Sequence, residues 1–528
     1  MNLKYKKLLS IIISSFLFTY FVLLRNGPGI TTDSVLYIST AENIAQSGSP
    51  ISLLNNNRFS IHTPPLYFYL LATFKSSFSN ILESIRVFNA LCFAIFIALV
   101  FKILTHFYNF GSKNIYKILF IISFSELTIL PFMMTWTEAL FIPCIFLSIL
   151  SAFYYSFRKK IIFFILSIFF STIALLSRYA AIPLIIWLFI FFVIFLRKID
   201  FFNKIILSII YFTISIMPNC LWLLIMIKDI DFSFAGKFAI HPLSFAHIRQ
   251  FVRTVLFLLF PNSFLNYIKE NLWTQYFFIV VITGIFIIMI LITITKLKKK
   301  ELNFKDFLNF PNNNFVLFIS LLSFSIFYFI FLIFSISFMD FNTPLDYRIS
   351  SPGIISFLLS IFILPTLLKN KNCDTFYNKY FLNFLFLLVF VRITFFCIIN
   401  CKEGFGYNSK TWKNSEIFKT IDFSETEVYS NSVDGIYFIT GKLTKQIPSK
   451  INVNTGFYNK KFYDSFSNLI AELKAPQKDT VIIFFNSIPT SKIPMPEEFL
   501  AYVKPDKELK TKDAIILYYA RKNQNRLD

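Results

Sequence analysis

The sequence is poor in charged residues. Asp, Glu, Lys and Arg make up 15% of the 528 residues, whereas a soluble protein of this length carries about a quarter. Hydrophobic residues make up 56% and aromatic residues 20%, and the mean hydropathy is +0.63. The shortage of charge excludes a soluble globular protein and indicates a chain that crosses a membrane many times.

Cysteine is also scarce. The six cysteines form no CxxC pair and mostly lie in or beside apolar runs. This spacing fits neither a disulfide framework nor a zinc site. Cys397 and Cys401 are close in sequence, but free cysteines are usually buried, so we interpret them as two buried or membrane-edge thiols.

Acidic residues are fewer than basic ones, 29 against 51, and the formal net charge is +22. A basic face on a soluble domain would indicate nucleic-acid binding. Here many of the basic residues lie in short loops between apolar runs, where positive charge sets the orientation of a membrane protein. We therefore predict a lipid bilayer and no nucleic acid as the partner of these residues.

The amino terminus lacks the features of a cleaved signal peptide. Lys4, Lys6 and Lys7 precede an apolar run over residues 8–24. That run is longer than the roughly 7 to 15 apolar residues of a signal peptide, and no small-x-small cleavage site precedes Arg25. We expect an uncleaved first span with its basic end in the cytoplasm.

Eleven apolar runs approach the about 20 residues that a membrane helix needs. They are residues 8–24, 86–107, 117–134, 138–157, 161–177, 179–196, 205–227, 277–295, 315–338, 349–368 and 380–400. With a cytoplasmic start, the basic clusters of the inner loops, such as residues 158–160 and 296–300, all fall on the cytoplasmic side. A miscounted span would scatter them over both faces, so we predict a multi-pass protein of the cell membrane.

This topology leaves four polar regions on the outer side: residues 25–85, 228–276, 339–348 and the chain after about 401. The first is long for a connection, and a long ordered loop is more often functional than idle. Within it, Pro64 and Pro65 precede the Leu- and Tyr-rich residues 66–71. We predict a helix at the membrane interface there, with tyrosines at headgroup level.

Residues 401–528 contain more Lys, Asn, Ser and Thr, and no run long enough to cross a membrane. Residues 480–485 and 514–519 have the pattern of buried strands. One helical face is shared by Tyr463, Phe466, Leu469, Ile470 and Leu473. We predict a transmembrane module over residues 1–400 and an extracytoplasmic α/β domain over 401–528. The domain has no Gly-rich phosphate loop or catalytic triad, so it is expected to be a lid, an acceptor platform or an interaction module.

Charged residues are costly inside a membrane and usually face a cavity or the aqueous boundary. The predicted topology places eight titratable residues at the outer ends of the spans. They are Asp33, Glu42, Arg58, His62, Glu138, Arg178, Asp346 and Arg348. These residues are the candidates for a functional site.

Asp33 is the strongest candidate among them. A carboxylate can act as general base on an acceptor hydroxyl or amine, or can ligate a divalent cation that neutralises a phosphate leaving group. Residues 31–34 would equally suit a helix N-cap. Glu138 has the same two interpretations, helix capping or a second base or metal carboxylate. His62 is either a structural group or one that shapes the acceptor side.

Arg178 and Arg348 carry guanidinium groups, which offer bidentate donors to a lipid phosphate at the interface. The alternatives are snorkelling and, for Arg348, pairing with Asp346. Glu126 and Arg392 lie inside apolar runs, where a proton-coupled transporter would place its charges. No matching second half and no pair of Gly- or Pro-broken spans accompanies them, which disfavours a transporter.

Residues 33–48, followed by His62 and by Pro64-Pro65-Leu66-Tyr67, resemble the first outer loop of GT-C glycosyltransferases. The resemblance is to the branch that includes the protein O-mannosyltransferases and the bacterial aminoarabinose transferases. Shared features are the aspartate, a following tyrosine, a helix of small residues, a glycine and the Pro-Pro-Leu-Tyr element. Shorter matches lie at residues 138–141, 177–179, 346–352 and 406–409.

The resemblance implies a GT-C fold of about eleven transmembrane helices with a small outer α/β domain. It also implies transfer of a sugar from a polyprenyl-phosphate donor to a lipid, glycan or protein acceptor at the outer face. Asp33 matches the family's catalytic or metal-associated aspartate. The sequence departs from the family pattern at two places. Ser34 stands where many members carry an acidic residue, and His62-Thr63 stands where aminoarabinose transferases have a lysine.

We therefore expect an integral-membrane glycosyltransferase in which Asp33 and His62 are catalytic. The expected substrate-binding residues are Tyr37, Arg58, Arg178, Asp346 and Arg348. If a divalent metal cation is required, Asp33 and Glu138 are its expected ligands. The alternatives are an O-antigen polymerase or ligase, and a non-enzymatic lipid or glycan transporter, in which Glu126 and Arg392 would matter more than the outer charges.

Overall fold

The computed structural model describes most of the chain, and the statements below concern the described residues. These are 3–52, 58–59, 63–77, 80–108, 112–196, 199–226, 243–257, 313–339, 343–368, 380–451, 458–488 and 492–521, with the single residues 274, 277, 280 and 284. Most of the described residues are helical. The sheet structure is concentrated after residue 426.

The helices of the first part of the chain follow one another with short connections. They are α1 (Leu3–Phe18), α2 (Thr32–Ser47), α3 (Leu66–Ser77), α4 (Ile81–Phe107), α5 (Lys113–Ser123), α6 (Glu126–Met133), α7 (Glu138–Arg158), α8 (Ile161–Ser177), α9 (Ile182–Phe195), α10 (Phe201–Met226), α11 (Phe245–Leu256), α12 (Asn313–Phe338), α13 (Tyr347–Leu368) and α14 (Leu382–Glu403). A π-helical turn, Thr19–Leu23, continues α1, and a 3₁₀ turn, Tyr179–Ala181, precedes α9.

Seven described helices are long and apolar enough to cross a membrane: Tyr5–Leu23, Ile81–Phe107, Glu138–Arg158, Phe201–Ile225, Asn314–Phe338, Tyr347–Leu367 and Leu382–Glu403. The pair α5 and α6 would make an eighth span, bent by 57°, and α8 and α9 are apolar but shorter. Ten of the eleven predicted runs thus coincide with apolar helices. The run at 277–295 lies almost wholly outside the described residues. The predicted multi-pass helical bundle is confirmed.

The segment that leads into α2 is held on one side by the turn between α6 and α7. The amide of Gly29 donates to the Met133 carbonyl at 2.8 Å, and the amide of Thr135 donates to the Gly29 carbonyl at 2.9 Å. Asn89 of α4 donates its side-chain amide to the Met134 carbonyl at 2.8 Å. These bonds fix the start of the first loop relative to α4 and α7.

The same segment is held on its other side by the chain that leaves α14. The Ile30 carbonyl accepts a hydrogen bond from the Tyr407 amide at 2.8 Å. The Asn408 side chain donates to the carbonyls of Asn26 and Pro28, at 3.0 and 2.9 Å. Gly406 has φ = 60°, and a Cβ there would lie 1.9 Å from the Ile30 carbonyl oxygen. Only glycine allows this approach.

The remainder of the first loop contains α2, a short antiparallel pair and α3. The pair consists of β1 (Ile51–Ser52) and β2 (Arg58–Phe59). As predicted, a helix begins at Leu66 directly after Pro64 and Pro65. Tyr67 is fully buried, with its ring centroid 5.3 Å from that of Tyr37, whereas Tyr69 is 38% exposed. Tyr67 is buried because α3 packs on α2 and its ring fills the space between them. The position of these tyrosines at headgroup level stays a prediction.

The carboxy-terminal part forms a five-stranded mixed sheet. Its strands are β3 (Glu427–Ser430), β4 (Lys445–Gln446), β5 (Thr480–Phe485), β6 (Lys507–Lys510) and β7 (Ala514–Tyr519), in the spatial order β4-β3-β5-β7-β6. Strand β3 is parallel to β4 and β5, whereas β7 is antiparallel to β5 and β6. The structure has strands at both predicted ranges, 480–485 and 514–519.

The helices of this part are α15 (Lys410–Lys413), α16 (Ile417–Thr420), α17 (Val433–Thr440), α18 (Phe462–Lys474) and α19 (Pro496–Leu500). The predicted apolar face of α18 is right except at one position. Tyr463 is 68% exposed, and Phe462 is buried instead. Phe462 lies four residues before Phe466, one helical turn away, so it shares the buried face.

Candidate active site

Four charged side chains from distant parts of the chain meet at one end of the bundle. The Nη1 of Arg348 donates to Asp33 Oδ2 at 2.5 Å, and its Nε donates to Glu138 Oε1 at 2.6 Å. Arg178 donates to the same Glu138 oxygen. We call Asp33, Glu138, Arg178 and Arg348 the charge cluster. Four of the predicted site residues are thus brought into direct contact.

Helix ends position these side chains. Asp33 and Glu138 lie in the first turns of α2 and α7, where a negative charge interacts favourably with the helix dipole. Arg178 is the extended residue between α8 and the 3₁₀ turn before α9. Arg348 lies in the first turn of α13. The cluster therefore depends on the packing of four separate elements.

The two carboxylates of the cluster differ sharply in exposure. The side chain of Glu138 is 1% exposed, and that of Asp33 is 46% exposed. A buried carboxylate needs charged and hydrogen-bonding partners, and Glu138 has both arginines and the Thr137 hydroxyl at 3.2 Å. The buried Glu138 thus forms ion pairs with both arginines, and Asp33 is the carboxylate that is accessible to a substrate.

Trp136 supports the cluster and was not predicted as a site residue. The Cζ of Arg348 lies 4.7 Å from the centroid of the Trp136 ring, a cation–π contact. The indole Nε1 donates to Thr31 Oγ1 at 2.9 Å. Trp136 therefore connects Arg348 to the residue just before α2. The available signal was an aromatic residue two positions before Glu138.

Asp346 has a capping role in the structure. Its Oδ1 accepts hydrogen bonds from the amides of Arg348 and Ile349, both at 3.1 Å. Burial raises the pKa of Asp346, although these two hydrogen bonds act in the opposite direction. From α11, Gln250 and Thr254 hold Leu345 by hydrogen bonds of 3.1 Å. Asp346 thus fixes the turn that carries Arg348, and its contact with substrate stays a prediction.

Tyr37 follows Asp33 by one turn of α2 and is almost fully buried. Burial and, to a smaller extent, the negative charge of Asp33 raise the pKa of Tyr37 to about 12. The phenol is therefore neutral at physiological pH and can donate or accept a hydrogen bond. That role also stays a prediction.

Two predicted residues cannot be placed in the same way. His62 lies outside the described residues, and of Arg58 only the backbone is described. Arg58 pairs with Ser52 in the β1–β2 ladder. The predicted catalytic role of His62 and the predicted substrate contact of Arg58 remain predictions.

The carboxy-terminal domain reaches the cluster through α17. The Tyr407 hydroxyl lies 3.3 Å from Thr32 Oγ1 and accepts a hydrogen bond from Ser432 Oγ at 3.3 Å. The pKa of Asp434 is raised to about 6, mainly by burial. The charge of Asp33 contributes to this increase, and a hydrogen bond with Thr32 opposes it. Sequence reasoning missed Asp434 because 400 residues separate it from Asp33, and no local pattern distinguishes it.

The described residues do not fit a divalent metal ion. Nowhere in the described ranges do three or more His, Cys, Asp or Glu side chains come together in a way that could hold one. The two predicted ligands, Asp33 and Glu138, both direct an oxygen at Arg348. A guanidinium between the two carboxylates repels a dication in this arrangement. The dependence on a divalent metal, with Asp33 and Glu138 as its ligands, stays a prediction.

Glu126 and Arg392 form an ion pair inside the bundle. The Nε–Oε1 and Nη2–Oε2 distances are 2.7 and 3.0 Å, and Arg392 also donates to the Phe257 carbonyl. Both side chains are less than a tenth exposed. The pair joins α6 to α14 and satisfies both charges. It therefore explains these intramembrane residues without ion transport.

The fold resembles that of known membrane enzymes. ArnT, an aminoarabinose transferase from Cupriavidus metallidurans, bound to undecaprenyl phosphate, superposes with a TM-score of 0.57 at 10% sequence identity, over 97% of this chain and 98% of that chain. The apo state of the same protein gives 0.56 at 11% identity, over 98% of each chain. No protein-family model and no curated protein matches the sequence. At such low identity the likeness shows the fold alone, and the predicted GT-C fold is confirmed.

Proposed function

We propose that the chain is an integral-membrane glycosyltransferase that moves a sugar from a polyprenyl-phosphate donor to an acceptor. The observation that carries this proposal is the charge cluster, two arginines and two carboxylates gathered at one end of a GT-C bundle. That ArnT has been observed with undecaprenyl phosphate supports the class of donor.

In the proposed reaction, an oxygen or nitrogen of the acceptor attacks the anomeric carbon of the donor sugar. The bond between that carbon and the phosphate oxygen breaks, and its electron pair leaves with the polyprenyl phosphate. Asp33 accepts the proton of the acceptor as general base, a role for which its exposed carboxylate is accessible.

Arg178 and Arg348 would stabilise the negative charge that develops on the leaving phosphate. Guanidinium groups suit this task because they stay charged and offer several donors in a fixed plane. Here Glu138 and Trp136 hold the guanidinium of Arg348 before any substrate arrives. Donors that are already oriented need no reorganisation during the reaction, which makes them effective in a site shielded from water.

The proposed topology places this site outside the cell. The amino terminus would lie in the cytoplasm, and the charge cluster and the carboxy-terminal domain on the outer face of the cell membrane. The positions of the basic loops support this orientation, since positive residues favour the cytoplasmic side.

An assay of the purified full chain tests the proposal. The protein is incubated with radiolabelled polyprenyl-phosphate sugars and a membrane extract, and Asp33→Asn is compared with wild type. Loss of a general base should lower turnover about 10²- to 10⁴-fold. Asp464→Asn, an exposed aspartate in the first turn of α18, is the matched control and should leave turnover unchanged.

Two results would count against the proposal. Turnover unaffected by Asp33→Asn would overturn the role of Asp33 as base. No sugar transfer from any donor of the panel would contradict the enzymatic function and favour a transporter.

A further inference from the structure

The carboxy-terminal domain contains a cavity of about 270 Å³ that the charge cluster does not use. It lies where β5 ends, between the segment that leaves α14 and the turn from β6 to β7. Six of its lining residues carry the argument: Trp412, Ser415, Phe485, Asn486, Lys512 and Asp513. The volume is close to the lower end of the range for small-molecule sites, about 300 Å³.

Trp412 is held firmly as one wall of this cavity. Its ring centroid lies 4.6 Å from that of Phe485 and 4.8 Å from that of Tyr407. Helix α17 approaches so closely that a Cβ on Gly435 would lie 2.8 Å from the indole. An indole fixed by these neighbours presents a rigid apolar surface to the cavity, and a rigid surface costs little conformational entropy on binding.

The opposite side of the cavity is polar. The side chain of Asn486 donates to the Lys512 carbonyl at 3.1 Å, which fixes the β6–β7 turn at the rim. Ser415 lies at the wall and is 3% exposed, and among the described residues its hydroxyl has no hydrogen-bond partner. A buried hydroxyl without a partner is unfavourable, and a ligand in the cavity would satisfy it.

The chemistry of the lining indicates a neutral, hydroxyl-rich ligand. The rim offers an ammonium group, a carboxylate, an amide and a hydroxyl, so it has both donors and acceptors and no excess of charge. A phosphate would prefer an excess of donors. A peptide could not bind here by adding a strand to β5, because β5 already pairs with β3 and β7. One flat apolar wall opposite a polar rim matches a sugar ring.

The cavity is connected to the charge cluster through Tyr407. This side chain contacts Trp412 with its ring and Thr32 with its hydroxyl, and Thr32 directly precedes Asp33. Because Tyr407 stands between the cavity and Asp33, a ring in the cavity is not the reacting one. It would be a neighbouring unit of a longer acceptor.

We propose that this cavity binds a sugar ring of the acceptor, so that the acceptor of the proposed transfer is an oligosaccharide. The inference rests on the proposed function, since it names the acceptor class of the same site. The carboxy-terminal domain is then an acceptor platform that presents the glycan end to Asp33.

Saturation-transfer NMR on the full chain in lipid nanodiscs tests the proposal without any transfer reaction. The probes are glucose, galactose, mannose and N-acetylglucosamine, together with cellobiose, lactose, maltose and chitobiose. At least one probe should receive saturation. Lys512→Ala and Ser415→Ala should each weaken its apparent Kd about three- to tenfold, the loss expected for one hydrogen bond.

Two controls make the result specific. Lys507→Ala, an exposed lysine of β6, should leave the apparent Kd unchanged. Ser415→Ala removes a buried hydroxyl without a partner, so it should not lower the melting temperature even though it weakens binding. A purely structural role of Ser415 would not produce this combination.

Failure of this proposal is distinguishable from failure of the proposed function. Asp33→Asn should bind the saccharide normally while losing transfer. Saturation of no saccharide, or equal saturation in wild type, Lys512→Ala and Ser415→Ala, would overturn the acceptor site. Neither of these results would change the outcome of the radiolabel assay with Asp33→Asn.

Discussion

At the scale of single residues, the site depends on the guanidinium group of Arg348. Three contacts hold this one guanidinium: Nη1 with Asp33, Nε with Glu138 and its plane against Trp136. A lysine would keep the charge but has a single nitrogen, so it cannot make all three contacts. The residue is therefore a sensitive test of the cluster.

We expect Arg348→Lys to lower kcat/KM for sugar transfer about 10²-fold, the usual effect of losing one oriented donor to a developing oxyanion. The measurement is the radiolabel assay described above. Arg158→Lys, at the opposite end of α7, also removes a guanidinium that lies over an aromatic ring, that of Tyr154, and should have no such effect. Equal turnover in wild type and Arg348→Lys would contradict the phosphate-binding role.

The raised pKa of Asp434 leads us to expect that the stability of the folded protein depends on pH. Its ordinary pKa is 3.8 and its pKa in the folded protein is about 6, so the folded state keeps a proton that the unfolded state has released. The contribution of Asp434 to stability is therefore fully present below about pH 4 and is lost as the pH rises through 6, and it amounts to about 3 kcal/mol. The groups that cause the shift are the buried surroundings and Asp33, opposed by Thr32.

Asp434→Asn should flatten this pH dependence and raise the melting temperature at pH 7. The measurement is thermal unfolding of the purified protein at several pH values between 4 and 7. Asp464→Asn serves as the exposed control. Identical pH profiles for wild type and Asp434→Asn would show that the carboxyl group of Asp434 does not titrate in this range.

The sequence predicted which charged residues gather at one face but not how they pair. Hydropathy and positive loops place Asp33, Glu138, Arg178 and Arg348 at the same ends of their spans. Pairing of Arg348 with nearby Asp346 was the local alternative, yet Arg348 bonds to residues 210 and 315 positions away in sequence. Which guanidinium meets which carboxylate depends on helix rotation and tertiary packing, and neither is encoded in local spacing.

At the scale of elements, the first loop is ordered by its contact with the chain after α14. Gly406 is the residue that allows this contact, since its φ of 60° and the close Ile30 carbonyl leave no room for a side chain. The two backbone hydrogen bonds of Ile30, to Phe405 and Tyr407, depend on that approach. Asp33 follows Ile30 by three residues.

We expect Gly406→Ala to lower both stability and activity. A residue other than glycine in this region of φ costs about 1–2 kcal/mol, and the clash with Ile30 adds to that cost. Turnover should fall at least tenfold because Asp33 shifts. Gly441→Ala, at another positive φ but with nothing within 4 Å of its Cβ, separates strain from the clash. If both variants behave alike, the contact with Ile30 does not order the site.

Some secondary-structure elements could be predicted from the local sequence pattern alone, and others could not. Strands β5 and β7 lie at the predicted residues because each is a short apolar run with buried side chains on both faces. By contrast, residues 117–134 were expected to form one span, and the structure has two helices with a 57° bend. Average hydropathy carries no information on helix direction, so it cannot reveal such a break.

At the scale of the whole molecule, α7 is long enough to extend from one membrane face to the other. It begins at Glu138 in the charge cluster and ends at Arg158. Its 21 residues span about 30 Å at 1.5 Å per residue, which is the thickness of the bilayer core. The basic turn at residues 158–160 therefore lies one membrane thickness from the charge cluster. Because basic residues favour the cytoplasmic side, we expect the charge cluster and the carboxy-terminal domain to face outward.

Reporter fusions test this orientation directly. Alkaline phosphatase, which is active only outside the bacterial cytoplasm, is inserted after Lys159 in one version and fused after Asp528 in another. We expect activity from the second fusion alone, and green fluorescent protein at the same two positions should give the opposite result. Phosphatase activity of the insertion at Lys159 would show that the membrane orientation is the opposite of the one proposed. It would place the charge cluster in the cytoplasm, where the proposed outer-face transfer could not occur.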